Sequence, residues 1–198
     1  MEKPAITKFD IHPLLKQRWS PRSFTDQTVS KETIQRIFEA ARWAPSSSND
    51  QPWRFILGLK GDKTWNMIMD TLVEFNQKWA KLAPVLALSI GKKISDKNGR
   101  PSKTFMYDVG QSVAYITFQA MHEGLFVHQM GGFSAQKATD LFNIPDDYQV
   151  ITAFTIGHKG SPDLLEENFA VMEKSERQRY PLRELVFREN FGKSTDWF

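Results

Sequence analysis

The chain has 198 residues, of which 40% are hydrophobic and 25% charged, with a formal net charge of +3 and no cysteine. This composition is typical of a soluble globular protein, and we expect one domain over residues 1–198. The lack of cysteine excludes disulfides, thiolate metal sites and thiol nucleophiles. No apolar signal-peptide core or membrane-length apolar run is present, and the basic residues are dispersed. We therefore expect a cytoplasmic protein that binds neither membrane nor nucleic acid.

The first half of the chain predicts, in order, a helix over residues 11–17, a helix capped by Ser30, a strand over 53–59 and a helix over 64–79. Apolar residues at helical spacing support the two longer helices: Ile34, Ile37, Phe38 and Ala41 in the first, and Ile68, Leu72, Phe75 and Trp79 in the second. Ala44-Pro45 ends the first of these helices.

The second half begins with PVLALSIG, a continuous apolar run that predicts a central strand buried on both faces. A polar loop over 92–103 precedes the longest predicted helix, 104–123, which is apolar or small almost all round and is expected to be buried centrally. LFVHQM and YQVITAFTIG predict strands on either side of a helix from Ser134 to Phe142, and Ser161-Pro162 predicts the start of another helix. Helices interleaved with four strands predict a central sheet covered on both faces.

No self-sufficient catalytic set is found in the sequence. His12, His122, His128 and His158 are not spaced three or four residues apart, so no helical metal pair exists. The sequence also lacks a G-x-S-x-G elbow, a P-loop and a G-x-G-x-x-G segment after a strand. If the protein is an enzyme, we expect a bound cofactor to carry the reactivity.

Two short basic clusters are candidate anion sites. RWSPRSF places Arg18, Ser20 and Arg22 within five residues, and ERQRYPL places Arg177 and Arg179 just before a proline. Guanidinium groups match phosphate oxygens bidentately, so the clusters together would suit a phosphate. Each cluster alone is most often a solvated surface patch, and the sequence does not establish that the two meet.

A third polar segment, APSSSNDQPWRF, joins a predicted helix to a predicted strand. Its many short hydrogen-bonding side chains between two apolar elements indicate a binding loop, with a plain turn as the alternative.

The order RWSPRSF, APSSSNDQPWRF, EFNQKW, MGGF and ERQRYPL resembles the nitroreductase family of FMN-dependent oxidoreductases, over nearly the whole chain from Arg18 to Pro181. The resemblance implies an α+β fold with a central mixed, largely antiparallel sheet flanked by helices. It also implies FMN in a cleft between the two subunits of a homodimer, and a C-terminal extension, residues 182–198, that wraps the partner subunit.

Carried over by position, the resemblance implies a phosphate and ribityl site formed by Arg18, Trp19, Ser20, Arg177 and Arg179. Arg22 would lie against the pyrimidine end of the flavin. The opening loop would contribute to the other subunit's FMN through Pro45, Ser46, Ser47 and Asn49, with Gln51 closing the same loop.

For the flavin ring, the resemblance implies hydrogen bonding by Asn76 and a segment beneath the ring formed by Met130, Gly131 and Gly132. The backbone of Gly131 would face the nitrogen that accepts hydride, so no catalytic side chain and no metal is expected. The family lysine three positions after the asparagine is Trp79 here, with Lys78 beside it.

The substrate face is expected to include Phe75, which has positional support. Tyr107, Phe105 and Phe126 are further candidates, although core packing is the preferred interpretation for these three.

The implied function is hydride transfer from NADH or NADPH, through FMN, to a nitroaromatic, quinone or similar flat acceptor in a ping-pong sequence. The alternatives are a non-enzymatic FMN-binding protein for storage or regulation, and a specialised family member that acts on another substrate.

The C-terminal tail supplies a separate argument for a homodimer. Its apolar residues have no predicted local partner: Leu185, Val186, Phe187, Phe191, Trp197 and Phe198. Apolar side chains left in water favour aggregation, so we expect the tail to wrap a second copy of the chain.

Overall fold

The structure, a computed structural model, describes residues 2–197. This range contains seven α-helices: α1 (Pro13–Gln17), α2 (Lys31–Arg42), α3 (Lys63–Thr71), α4 (Glu74–Ala80), α5 (Phe105–His122), α6 (Ala135–Phe142) and α7 (Glu167–Lys174). It also contains four strands: β1 (Trp53–Leu59), β2 (Val85–Lys92), β3 (Phe126–Met130) and β4 (Tyr148–Gly157). The predicted four strands and the α+β class are confirmed. Within residues 2–197, no helix is long and apolar enough to cross a membrane.

The four strands form one sheet in the order β1-β2-β4-β3. All three neighbouring pairs are antiparallel, with no parallel pair among the residues that the structure describes. Strand β2 pairs on both edges, and its residues 85–91 are all buried. The predicted central strand is therefore confirmed.

Helices cover both faces of the sheet, because successive side chains of a strand point to opposite sides. On β2, Leu86 and Leu88 pack into one core with α3, α4, α6 and α7. Val85 and Ala87 pack into a second core with α2 and α5. The expected layered arrangement is confirmed.

The predicted helix caps are present. The Ser30 hydroxyl accepts a hydrogen bond from the Thr33 amide at 3.1 Å at the start of α2, and Ser134 does the same for Lys137 at the start of α6. Gly124, just after α5, has a φ of +75°, a left-handed conformation that favours glycine. These ends follow from local sequence because their hydrogen bonds are local.

The prediction of one helix over 64–79 is wrong, because the chain breaks between α3 and α4. Leu72 is extended, with φ −70° and ψ 146°, and it bridges to Phe133. The Val73 amide donates to the Gly132 carbonyl at 3.1 Å. Hydrogen bonds to a distant segment thus replace helical ones, while the apolar residues on both sides still face the same core.

Helix α5 is buried along one side only, so the expectation of central burial nearly all round is wrong. Nine of its residues are buried, including Val109, Val113 and Ile116. Met106, Tyr107 and Tyr115 remain 52%, 71% and 41% exposed. The part of the chain that the structure describes therefore leaves an apolar face of α5 in contact with solvent.

The helix predicted at Ser161-Pro162 is only a 3₁₀ turn over Pro162–Leu164. Leu165 is extended, and α7 begins at Glu167. Proline at the first position therefore marks a turn here, which ends before a full α-helical segment forms.

The tail folds back on itself after a 3₁₀ turn over Leu182–Glu184. Phe187 bridges to Ser194 and packs against Phe191 with ring centroids 5.0 Å apart. The Arg188 guanidinium lies 4.3 Å from the Trp197 ring centroid. The expectation that these aromatic residues lack local partners is therefore wrong for Phe187, Phe191 and Trp197, and Phe198 lies outside the described residues.

Candidate cofactor-binding site

The two arginine clusters meet in one pocket, which we call the cationic pocket. Arg18 follows α1, and Ser20 and Arg22 lie on the extended segment after it, while Arg177 and Arg179 follow α7. The cationic pocket has a volume of about 250 Å³. Its lining residues are Lys3, Arg18, Trp19, Ser20, Arg22, Met172, Arg177 and Arg179. The sequence left open whether the clusters meet, and the fold brings them together.

The arginines of the cationic pocket differ in how far they are already engaged. Arg177 donates from Nη1 to the Lys3 carbonyl at 2.7 Å and to the Lys16 carbonyl at 2.9 Å, so it also ties the N-terminal segment in place. Arg18 donates to the Ser20 hydroxyl at a long 3.3 Å, and the exposed Arg179 donates to the Gln178 carbonyl beside it. Arg18 and Arg179 therefore retain donors for a ligand.

Glu173 fixes the backbone of the first cluster from behind. Its carboxylate is 2% exposed and accepts hydrogen bonds from the Arg22 amide at 3.0 Å and the Ser23 amide at 3.2 Å. Sequence reasoning missed both Glu173 and Lys3. The sequence shows only that Glu173 is an acidic residue shortly before the second cluster. Its partners could not be predicted, because α7 is far in sequence from residues 3 and 22.

The charges in the cationic pocket repel one another. Burial lowers the pKa of Arg18, and Arg177 and Arg179 lower it further. Two buried donors, Trp19 Nε1 and Arg22 Nε, have no hydrogen-bond partner in the part of the chain that the structure describes. An anion with several acceptor oxygens would satisfy these donors and relieve the repulsion.

A second group of predicted residues meets where α4 faces the end of β3. The Asn76 amide nitrogen donates to the Gly132 carbonyl at 2.9 Å, which leaves the carboxamide oxygen available as an acceptor. A Cβ at Gly132 would lie 2.6 Å from that nitrogen, whereas a Cβ at Gly131 would meet nothing within 4 Å. Met130 is buried at 3% exposure. Position 132 therefore requires glycine, because a larger residue would clash with Asn76. Position 131 has open space beside its backbone.

The loop over residues 44–51 is held in a strained form by its own chain. Ser48, Asn49 and Gln51 have φ values of 52°, 53° and 49°, which non-glycine residues rarely adopt. The Ser47 amide donates to the buried Asp108 carboxylate at 3.3 Å, and the Ser46 hydroxyl accepts from the Gln51 amide at 3.0 Å.

Asp50 adds a further anchor to this loop, because its carboxylate accepts from the Ser95 hydroxyl at 3.0 Å. Such over-determined strain is typical of functional loops and argues against a plain turn. None of the loop residues, including Pro45, lines the cationic pocket within the chain.

Comparison with known proteins identifies the group to which this arrangement belongs. Residues 15–72 match the model of the nitroreductase family. A solved oxidoreductase containing FMN is 34% identical, with a TM-score of 0.90 over 96% of each chain. The chain belongs to the nitroreductase family.

Further relatives agree with this assignment. A protein from Desulfovibrio desulfuricans, solved in complex with FMN, is 25% identical, with a TM-score of 0.71 over 92% of this chain and 99% of its own. A protein from Archaeoglobus fulgidus, named for NADH dehydrogenase and NAD(P)H nitroreductase activities, is 25% identical over 75% of this chain and 86% of its own. The comparisons support a flavin oxidoreductase.

Trp79 stands in this chain where the resemblance leads one to expect a lysine. It is fully buried, and its ring centroid lies 4.4 Å from that of His128 on β3. The neighbouring Lys78 forms an ion pair with Glu74 at 3.2 Å on the exposed side of α4. Neither residue lines the cationic pocket, and Trp79 packs in the core of the fold.

The aromatic residues predicted for a substrate face are separated by the fold. Phe75 is 47% exposed and packs against Phe169 with centroids 5.0 Å apart, so one side of its ring remains open. Core packing is confirmed for the buried Phe105, and Phe126 packs edge-on to Trp19 at 6.3 Å. Core packing is wrong for Tyr107, which is 71% exposed on α5.

Proposed function

We propose that the chain is an FMN-dependent oxidoreductase that transfers hydride from NADH or NADPH to a nitroaromatic, a quinone or a similar flat acceptor. The observation that carries the proposal is the meeting of two arginine clusters, from opposite ends of the chain, in one pocket. Such a pocket suits a phosphate monoester, because guanidinium groups bind its oxygens through paired, charge-assisted hydrogen bonds.

The donor set fits the phosphate and ribityl end of FMN. Trp19 Nε1 is a buried donor without a partner in the described residues, and the Ser20 hydroxyl lies beside Arg18. Among the residues that the structure describes, no acidic side chain lines the pocket, since the carboxylate of Glu173 is turned to backbone amides behind it. A phosphate ester carrying hydroxyl groups would satisfy donors that are costly to leave unpaired, by roughly 1–3 kcal/mol each.

The flavin ring end is assigned to Asn76, Gly131 and Gly132. Asn76 offers its carboxamide oxygen to the pyrimidine edge, and the open space at Gly131 lets a flat ring approach the backbone. The open side of Phe75, on the same helix as Asn76, is proposed to contact the electron acceptor.

Bound FMN would supply two-electron chemistry, by taking hydride from NADH or NADPH and reducing the acceptor in a ping-pong sequence. The chain's own residues would bind FMN, orient it and neutralise its negative charge. Arg18, Arg177 and Arg179 would hold the phosphate, and Arg22 would place positive charge near the pyrimidine end. No side-chain acid or base is required by this scheme.

The strained loop is proposed to act across a homodimer interface. Pro45, Ser46, Ser47, Asn49 and Gln51 lie outside the cationic pocket of their own chain, so they would reach the partner subunit's FMN. Each 198-residue chain would then be one FMN-binding domain, with residues 182–198 wrapping the partner.

The test is cofactor content followed by turnover. The purified protein should carry FMN, not FAD, at about one per chain, because the cationic pocket fits a terminal phosphate and no adenosine motif is present. Mixing it with NADH or NADPH and a quinone should consume the nicotinamide cofactor, and the flavin-free protein is the control. A protein that does not bind added FMN would contradict the proposal. A protein that binds FMN without turnover would support the non-enzymatic alternative.

A further inference from the structure

The N-terminal segment over residues 2–5, which we call the N-terminal strap, is tied to the body of the fold at three points. Glu2 forms an ion pair with Lys159 at 2.6 Å, and the Lys3 carbonyl accepts from Arg177 at 2.7 Å. The Ala5 amide donates to the Lys16 carbonyl at 2.8 Å. These contacts hold the strap along the edge of the cationic pocket.

The Lys3 side chain is directed by the fold and does not extend freely into water. Its Nζ donates to the Glu173 backbone carbonyl at 2.9 Å and lies 4.7 Å from the Trp19 ring centroid. Lys3 lines the cationic pocket together with the arginines. An ammonium group has three donor hydrogens, so this contact leaves donors for a ligand.

The environment of Lys3 calls for an anion. Burial lowers its pKa, and the neighbouring Arg177 and Arg22 lower it further, while Glu173 acts in the opposite direction. The Glu173 carboxylate is already occupied by two backbone amides, so it does not pair directly with the Lys3 ammonium. A bound dianion would interact favourably with every one of these cations.

We infer that Lys3 is a ligand of the phosphate monoester in the cationic pocket, and that the N-terminal strap closes that end of the pocket. This inference rests on the proposed function and adds to it a residue outside all the motifs of the resemblance. It assigns Lys3 to the phosphate and not to the flavin ring, so its effect depends on whether the ligand carries a phosphate.

The experiment compares FMN with riboflavin, which lacks the phosphate. The full chain, freed of flavin, is titrated with each, and the quenching of flavin fluorescence gives the two dissociation constants. Lys3→Met should weaken FMN binding about tenfold, the lower end of the scale for a charge-assisted hydrogen bond. Riboflavin binding should be unchanged, and Lys3→Arg should restore most of the FMN affinity.

The matched control is Lys8→Met, which removes the same charge a few residues beyond the strap and outside the cationic pocket. It should leave FMN binding unchanged. The inference is overturned if Lys3→Met binds FMN as tightly as the parent, loses FMN and riboflavin equally, or is matched by Lys8→Met.

A second probe separates this inference from the proposed function. If the parent binds no FMN, the proposed function fails, and calorimetric titration with inorganic phosphate decides the role of Lys3. Weaker phosphate binding by Lys3→Met than by the parent would support a phosphate site that includes Lys3. Equal binding, or none by either protein, would overturn it.

Discussion

Gly131 and Gly132 are adjacent in the chain but have different surroundings. A Cβ at Gly132 would lie 2.6 Å from Asn76 Nδ2 and 3.0 Å from Val73 Cγ2, whereas a Cβ at Gly131 would meet nothing within 4 Å. Gly132→Ala should lower the free energy of unfolding by about 1–3 kcal/mol, the usual cost of overpacking. Gly131→Ala, its matched control, should change it by less than about 0.5 kcal/mol. Urea unfolding of the flavin-free proteins measures both, and equal effects would contradict the assigned crowding.

Arg18 and Arg179 each donate one side-chain hydrogen bond within the described residues, so both keep donors for a ligand. Replacing either with alanine should weaken FMN binding by about 1.5–3 kcal/mol with little loss of folding stability, because ligand hydrogen bonds to charged groups are lost. Fluorescence titration gives the affinity, and Arg42→Ala, on the exposed end of α2, is the control. Unaltered FMN affinity in the Arg18 and Arg179 variants would make them surface charges.

At the scale of elements, His128 on β3 contacts both α4 and the extended segment after α1 that carries Arg22. Its ring stacks on Trp79, and its Nδ1 lies 2.9 Å from the Pro21 carbonyl, which it contacts as the donor when the ring is neutral. Burial lowers the pKa of His128 to about 4, against the hydrogen bond to Pro21, and Arg22 and Arg18 add to the lowering. The packing between these elements therefore depends on a neutral imidazole.

Acid should accordingly loosen this packing. The ordinary pKa of histidine, 6.5, applies to the unfolded chain, and the folded value is about 4. The unfolded chain takes up a proton at a higher pH than the folded one. The contribution of neutral His128 to the free energy of unfolding is therefore fully present above pH 6.5 and falls by about 3 kcal/mol as the pH drops to about 4. Urea unfolding between about pH 5 and 7 should show this slope, and His128→Asn, which keeps a donor near Pro21, should flatten it. An unchanged slope in the variant would assign the effect to other groups.

At the scale of the molecule, apolar surface is left over after the chain has folded. The face of α5 with Met106 and Tyr107 is exposed, as is Trp43 at 70%. In the tail, Leu185 is 54% exposed and Phe191 is 96% exposed, even with its local contact to Phe187. Large apolar side chains this exposed suit contact with another protein surface.

We expect these surfaces to be covered in a two-fold symmetric homodimer with two equivalent FMN sites, and an interface above roughly 2,000 Å². Deleting residues 182–198 should weaken the dimer and lower FMN occupancy together, because loop 44–51 is proposed to act on the partner's FMN. Phe191→Ser is a milder test of the same contact. Light scattering with absorbance at the flavin band measures both quantities, and a monomer saturated with FMN would rule out the shared site.

The family relationship and most of the secondary structure were determined by the sequence alone. Strand β1 matches the predicted 53–59, and the Ser30 and Ser134 caps are where the pattern placed them. These features depend on hydrogen bonds and side-chain periodicity within a few residues, so they can be predicted from residues that are close in sequence. The motif order identified the family because it spans nearly the whole chain.

Only the tertiary structure decided what depends on distant partners. The break between α3 and α4 comes from the bond of Val73 to Gly132, which no local pattern predicts. The cationic pocket forms because Glu173 on α7 holds the backbone of Arg22, and Lys3 joins it through a strap tied by Arg177. Such contacts become favourable only once the sheet and both helix layers have brought remote segments together, because the entropy of closing long loops must first be overcome.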